Sequence, residues 1–274
     1  MKRSSPIQLV VVDVDGCLTP GEGRDWNWSA LQAIQDVNQQ AKRRESLPAV
    51  TLCTGRQQPY VEVLMQAIGA YIPGIYENGC GLYIPSNYRF LEHPAITAEH
   101  RHALSTARLI LQEQVVGSGL GYFQPGKESS LSIYPLPGTS VGQLEQAVAS
   151  ALTECEGLLT LRASVSCVDV TPAGIDKGAG VRWLAQETDI ALARMGGIGD
   201  SKSDLAFLHL VGHSAAPANA APEVRAQVEY VSAYTNGEGV VDILKGWLTD
   251  TQPTLSHDDL GQEKPPIRRE REEQ

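Results

Sequence analysis

Apolar residues arrive in two rhythms along this chain. Short unbroken runs, Leu9-Val10-Val11-Val12 and then Ala49-Val50-Thr51-Leu52-Cys53, have the length of strands buried on both faces of a parallel sheet. Between them Leu31, Ile34 and Val37 recur at helical spacing, which predicts a helix over 30–44 with Ser29 as its N-cap. The alternation continues with a helix over 59–68 and a short strand over 74–76. It resumes with a helix over 181–186, an apolar strand leading into Gly199, a strand over 210–212, a helix from 224, an edge strand over 228–231 and a last helix through 247.

Between residues 83 and 171 the pattern changes. A helix is predicted over 97–116, with Leu104, Ile110 and Leu111 on its apolar face. A strand over 130–134, a helix over 141–154 and strand-like segments within 158–170 follow. The expected class is α/β: a Rossmann-like, doubly wound parallel sheet formed by 1–82 and 172–248, with an inserted α+β domain at 83–171. Residues 249–274 are polar, charged and Pro-containing, the composition of a disordered tail.

Composition narrows the partners. A chain of 274 residues with 42% hydrophobic residues can bury a sizeable core. Its net charge of −10 argues against nucleic acid or an anionic membrane surface. No stretch approaches the ~18 apolar residues of a spanning helix. Met1-Lys2-Arg3 precedes an apolar run that breaks at Asp13 with no cleavage site, so no signal peptide is expected. Five scattered cysteines without CxxC spacing read as reduced thiols, which points to a cytoplasmic protein without disulfides or zinc.

Candidate chemistry collects where strands end. Asp13 and Asp15, one residue apart, would face the same way along a strand, and Gly16 lets the chain turn away. Two such carboxylates repel unless a cation sits between them or one holds a proton; the geometry suits Mg²⁺, although Asp is also common as a cap or turn residue. Thr54-Gly55-Arg56 offers a hydroxyl and backbone N–H groups to an anion, or is simply a turn. Asn78-Gly79 is a turn signal first and a substrate contact second. Lys177, in a Gly-rich loop before a helix, could meet a phosphate or be an ordinary surface lysine. Asp200 could complete a metal site with Asp13, while Asp204, four residues on, could be a helix N-terminal acid. In an open α/β sheet, sites at the carboxyl ends of the strands converge on one crevice.

In that order the motifs Asp13-Val14-Asp15-Gly16, Thr54-Gly55-Arg56, Lys177 and Gly199-Asp200-Ser201-Lys202-Ser203-Asp204 resemble those of the haloacid dehalogenase superfamily of phosphatases. The resemblance spans 9–248, and the insertion between Thr54 and Lys177 is similar to that of the large α/β-cap subclass, with Glu77-Asn78-Gly79 at the cap's entry. Cys17 and Ser203 depart from the usual Thr and Asn. The resemblance implies a phosphoric monoester hydrolase in which Asp13 is the nucleophile and Asp15 the acid and base. Asp13, Asp15 (through its carbonyl) and Asp200 would hold Mg²⁺, Thr54, Gly55 and Lys177 would hold phosphate, and Asp204, Ser201, Arg56 and Asn78 would support the site. The implied substrate is a small phosphorylated metabolite, a sugar phosphate or a phosphoglycolate-type acid. Arg56, Arg101 and Lys127 are candidate contacts to an acidic substrate, or more simply solvated surface cations. A phosphohexomutase and a non-catalytic phosphate-binding module are the alternatives. Oligomeric state is not readable from the chain.

Overall fold

In the computed structural model, which describes residues 6–44, 46–155 and 157–250, β1 (Leu9–Val12) is fully buried. Its side chains divide between two cores. Val10 and Val12 join Leu31, Ile34, Leu64, Ile243 and Leu244 on one face, while Leu9 and Val11 join Val181, Leu184 and Phe207 on the other. Two-sided burial is why the run never alternates with polar residues.

Helix α1 (Trp28–Ala41) starts two residues earlier than its pattern suggests. Asn27 is the cap, accepting from the Ala30 N–H, and Ser29 donates its hydroxyl to the Asn27 side chain at 2.6 Å. Asn and Ser cap about equally well, so spacing could not choose between them. Further along α1 the buried Asn38 donates to the carbonyls of Val50 and Ile68 and accepts from the Val50 N–H, which fastens the helix to β2 (Ala49–Leu52). Helix α2 (Gln58–Ala67) packs beside it and leads into β3 (Gly74–Tyr76).

Strands β4 (Gly81–Ile84) and β5 (Arg89–Glu92) were not expected. They pair antiparallel with β3 in a three-stranded sheet, which adjoins β2 through a bridge between Cys53 and Ile75. These four-residue strands carry too little pattern to stand out.

The α+β unit follows. Helix α3 (Ala98–Leu111), capped by Thr97, continues through a π-helical turn to Val116. Then come β6 (Gly121–Phe123), β7 (Leu131–Pro135), α4 (Val141–Ala151), β8 (Leu159–Ala163) and β9 (Val168–Pro172). The strands form an antiparallel sheet in the order β6-β7-β9-β8. Leu104, Leu111, Leu144 and Val148 of the helices pack against Ile133, Val168 and Val170 of one sheet face. Ser132, Asp169 and Arg162 stand in register across β7, β9 and β8.

The chain returns through α5 (Lys177–Thr188) to β10 (Met195–Ile198). After α6 (Leu205–Leu208) the next strand is β11 (His213–Ala216), three residues beyond the expected 210–212. Leu210 and Val211 still donate their N–H groups to the Phe207 carbonyl, closing the helix end. The strand itself reads His-Ser-Ala-Ala, with little β-propensity to announce it. Helix α7 (Pro222–Arg225), β12 (Tyr230–Val231) and α8 (Asn236–Asp250) complete the fold. The parallel sheet has the order β12-β11-β10-β1-β2, with helices on both faces. Helix α8 runs two residues past the expected start of the tail, and 251–274 lie outside the described residues. No described helix is long and apolar enough to cross a membrane.

Candidate active site

Strand order reverses at β1, whose neighbours are β10 and β2. The residues after these three strands therefore meet at one sheet edge. Asp13 follows β1, Thr54 follows β2 by two residues, and Asp200 follows β10 by two. The Asp13 N–H donates to the Ile198 carbonyl at 2.9 Å, and the Cys53 N–H to the Val12 carbonyl at 2.9 Å, so sheet hydrogen bonding carries on into the site.

Lys177 is not in the loop before α5 but is its first residue, after the cap Asp176. Its ammonium is buried and donates to Asp13 Oδ1 at 2.8 Å and to Asp204 Oδ1 at 2.6 Å. Burial pulls a lysine towards neutrality, but these two carboxylates outweigh it and hold the ammonium charged well above its ordinary range. The other oxygen of Asp204, Oδ2, accepts from the N–H groups of Asp200 (3.1 Å) and Ser201 (2.8 Å) and from the Ser201 hydroxyl (2.8 Å). Both oxygens of Asp204 are thus committed to shaping the loop and aiming Lys177.

Ligand oxygens of Asp13, Asp200 and Asp204 lie within 4.8 Å of one another. Lys177 alone does not balance three carboxylates. Burial first, and then the neighbouring carboxylates, push Asp13 up to about 7 and Asp200 up to about 9. Asp200 Oδ1 is also buried without a hydrogen-bond partner. An orphaned carboxylate oxygen among hard oxygen donors fits a divalent cation. Gly16 makes the approach possible. Its φ is +85°, and a Cβ there would stand 2.4 Å from Asp200 Oδ2.

Asp15 does not join this cluster, because the chain turns after Val14 and alternation no longer applies. Its carboxylate accepts two hydrogen bonds from Arg56, each 2.6 Å. The guanidinium lies 4.7 Å over the Tyr60 ring, which meets Trp26 edge-on, and Trp26 in turn meets Trp28. Trp26, just before α1, thus packs through Tyr60 in support of the Asp15–Arg56 pair.

Thr54 is buried and its hydroxyl accepts from the Arg56 N–H at 3.2 Å. Gly55 leaves room for the Asn78 amide, which would lie 3.0 Å from a Cβ there. Asn78, at φ +57°, donates to Asp169 Oδ2 at 3.1 Å. A cavity of about 430 Å³ opens between the sheet edge and the four-stranded sheet, lined by Asn78, Asp169, Arg162, Asp176, Lys177 and Lys202 among others. Of the three cations considered for an acidic substrate, none lines it. Arg56 holds Asp15, Arg101 pairs with Glu92, and Lys127 is buried against Ser132 and Asp169.

Sequence reasoning passed over Arg162, Asp169 and Asn219. The Asn219 amide donates to the Gly16 carbonyl at 2.6 Å and its oxygen accepts from the Asn236 N–H at 2.7 Å, fixing the turn after Asp15. Nothing in a lone loop Asn signals such a contact. Arg162 and Asp169 lie in segments recognised only as strand-like, where one residue of register decides the face.

The comparisons with known proteins agree with this geometry. The family model described as haloacid dehalogenase-like hydrolase matches residues 138–244. Over 255 residues the chain is 34% identical to a phosphoglycolate phosphatase of Methanothermobacter thermautotrophicus, covering 88% of this chain and 100% of the relative. It is 25% identical to a phosphoglycolate phosphatase of Methanobrevibacter smithii, covering 88% and 99%. A solved structure from Thermoplasma acidophilum superposes with a TM-score of 0.71 at 22% identity, covering 89% of this chain and 99% of that one. The Synechocystis sucrose-phosphatase, solved with sucrose and phosphate, gives 0.63 at 19% identity, covering 89% and 98%. The chain belongs to the haloacid dehalogenase-like hydrolase family and is a phosphatase, a phosphoric monoester hydrolase.

Proposed function

We propose that the enzyme hydrolyses a small phosphorylated metabolite through an aspartyl-phosphate at Asp13. The observation that carries this reading is the position of Asp13, buried at the end of β1, with Lys177 on one oxygen and Asp200 beside it. A carboxylate so held is an oriented nucleophile that needs no rotamer search before attack. Lys177 stays protonated and neutralises charge on the phosphoryl oxygens, while Asp204 keeps the ammonium aimed. Thr54 and the Gly55 N–H stand at the adjacent strand end to receive the remaining oxygens.

Asp15 delivers the proton to the leaving alkoxide and then takes one from the attacking water. Arg56 holds both its oxygens, so Asp15 must release at least one of those bonds before it carries a proton. Asp13, Asp200 and the Asp15 carbonyl would hold Mg²⁺, and Asp200 Oδ1 is the buried oxygen best suited to it. Bound there, Mg²⁺ would supply charge neutralisation between the nucleophile and the phosphoryl group.

The four-stranded unit acts as a cap. Asp169 and Arg162 stand on its sheet across the cavity from Lys177, where the organic part of the substrate would lie. The phosphoglycolate phosphatases at 25–34% identity favour a phosphoglycolate-type acid. Phosphate release from a panel of phosphoglycolate, phosphoglycerates, hexose phosphates, sucrose phosphate and nucleotides, with Mg²⁺ and with EDTA, tests this reading. Metal-dependent release that Asp13→Asn abolishes supports it. Release unchanged in Asp13→Asn overturns it.

A further inference from the structure

Six charged side chains line the cavity: Lys177, Lys202, Arg162, Asp169, Asp176 and Glu145. Their commitments differ. Lys177 is held by Asp13 and Asp204. Asp169 accepts from Asn78 at 3.1 Å, from the Ser132 hydroxyl and from Lys127 at 3.4 Å. Asp176 caps α5 by accepting from the Ala179 N–H at 2.9 Å. Arg162 is held loosely. Its nearest acceptors are the Ile175 carbonyl at 3.4 Å and Asp176 Oδ2 at 3.5 Å, against the two 2.6 Å bonds of Arg56. Among the described residues Lys202 and Glu145 make no ion pair and no side-chain hydrogen bond. The groups that can take a ligand without giving up a strong bond are therefore two cations and one acid.

Register places Arg162 deliberately. It stands opposite Asp169 in the β8–β9 ladder, and Asp169 stands opposite Ser132, so the three share the polar face of the sheet. Asp169 is anchored from below and beside, which leaves the guanidinium as the mobile member of that row. A planar fork of donors with weak partners is suited to a carboxylate, which it can bind through two parallel bonds.

Resting on the phosphatase reading above, we propose that Arg162, with Lys202 on the opposite wall, binds a carboxylate that the substrate carries in addition to its phosphoryl group. The enzyme then selects phosphorylated carboxylic acids over phosphate esters of uncharged polyols and sugars. Arg162 determines specificity and takes no part in the transfer itself.

The test is kcat/KM for wild type, Arg162→Gln, Arg162→Lys and Lys202→Gln, with four substrates. Two carry a carboxylate (2-phosphoglycolate and 3-phosphoglycerate) and two do not (glycerol 3-phosphate and glucose 6-phosphate). Wild type is expected to favour the carboxylates. Arg162→Gln should lower that preference about tenfold or more, mostly through KM, as loss of a charge-assisted pair predicts. Arg162→Lys, which keeps the charge without the fork, should recover part of it. A wild-type preference for the uncharged esters, or a preference unchanged in Arg162→Gln, would overturn the assignment. Those outcomes leave the phosphatase reading intact if turnover still depends on Asp13. Turnover of all four substrates by Asp13→Asn would instead remove the reading beneath it.

Discussion

Asn78 donates to Asp169 at 3.1 Å, joining the turn after β3 to the middle of the four-stranded sheet. Its neighbour Glu77 does the same more firmly. Fully buried, at φ +48°, it accepts from the N–H groups of Glu128 and Ser129, each at 3.0 Å, and from the Ser130 hydroxyl at 2.8 Å. On the other side of the site Tyr134 donates to Glu22 in the loop after β1. These bonds set the cap's position over Lys177.

Glu77→Ala leaves two backbone N–H groups and a hydroxyl near 128–130 without their acceptor. Each buried unsatisfied donor costs about 1–3 kcal/mol. Urea unfolding should show a loss of about 3 kcal/mol, and limited proteolysis should cut sooner near residue 128. Glu77→Gln should fall between, since its amide keeps one acceptor oxygen.

Arg56→Gln removes the fork that orients Asp15. Its effect should depend on the leaving group. An alkyl phosphate needs the proton that Asp15 delivers, and its kcat should fall about tenfold or more. An aryl ester with an acidic phenol leaves without that help and should be affected far less. Equal losses on both would show that Arg56 serves some other purpose.

The carboxylate cluster ties stability to pH. In the metal-free fold burial and the neighbouring carboxylates push Asp13 up to about 7 and Asp200 up to about 9, against about 3.9 for an unfolded Asp. Between these values the folded chain keeps protons that the unfolded chain has released, so stability falls as pH rises. It is fully present below about pH 4 and is lost as pH climbs through neutrality. Mg²⁺ replaces the protons, so Tm should rise more on adding Mg²⁺ at about pH 8 than at about pH 5. Thermal melts at both values check this, and an equal rise at both would contradict it.

Gly16→Ala combines two penalties, a left-handed backbone at φ +85° and a Cβ that would meet Asp200 Oδ2 at 2.4 Å. The strain costs about 1–3 kcal/mol. Activity should drop more steeply than stability, because relief of the contact moves Asp200 away from Asp13. Paired melting and Mg²⁺-titration assays separate the two effects.

The parallel core was legible because β1, β2 and β10 are apolar on both faces and punctuated by Asp, Thr and Gly. Lys177 and Asp204 could be placed at strand and helix ends from spacing alone, and the structure brings both to Asp13. The pairing of Asp15 with Arg56 was not legible, since alternation ends where the chain turns after Val14. Arg162 was invisible because its meaning comes from register with Asp169, a long-range pairing that no local pattern encodes. Short hairpins such as β4–β5 escaped for the same reason, their stability coming from the sheet they join.

The covalent step at Asp13 is tested most directly by trapping the enzyme in acid during turnover of a labelled phosphate ester. The phosphoryl group is then mapped by mass spectrometry. Label on the peptide that contains Asp13, absent when EDTA is present and absent in Asp13→Asn, is the predicted result. Turnover with no label on Asp13, or label on a different side chain, would contradict the account.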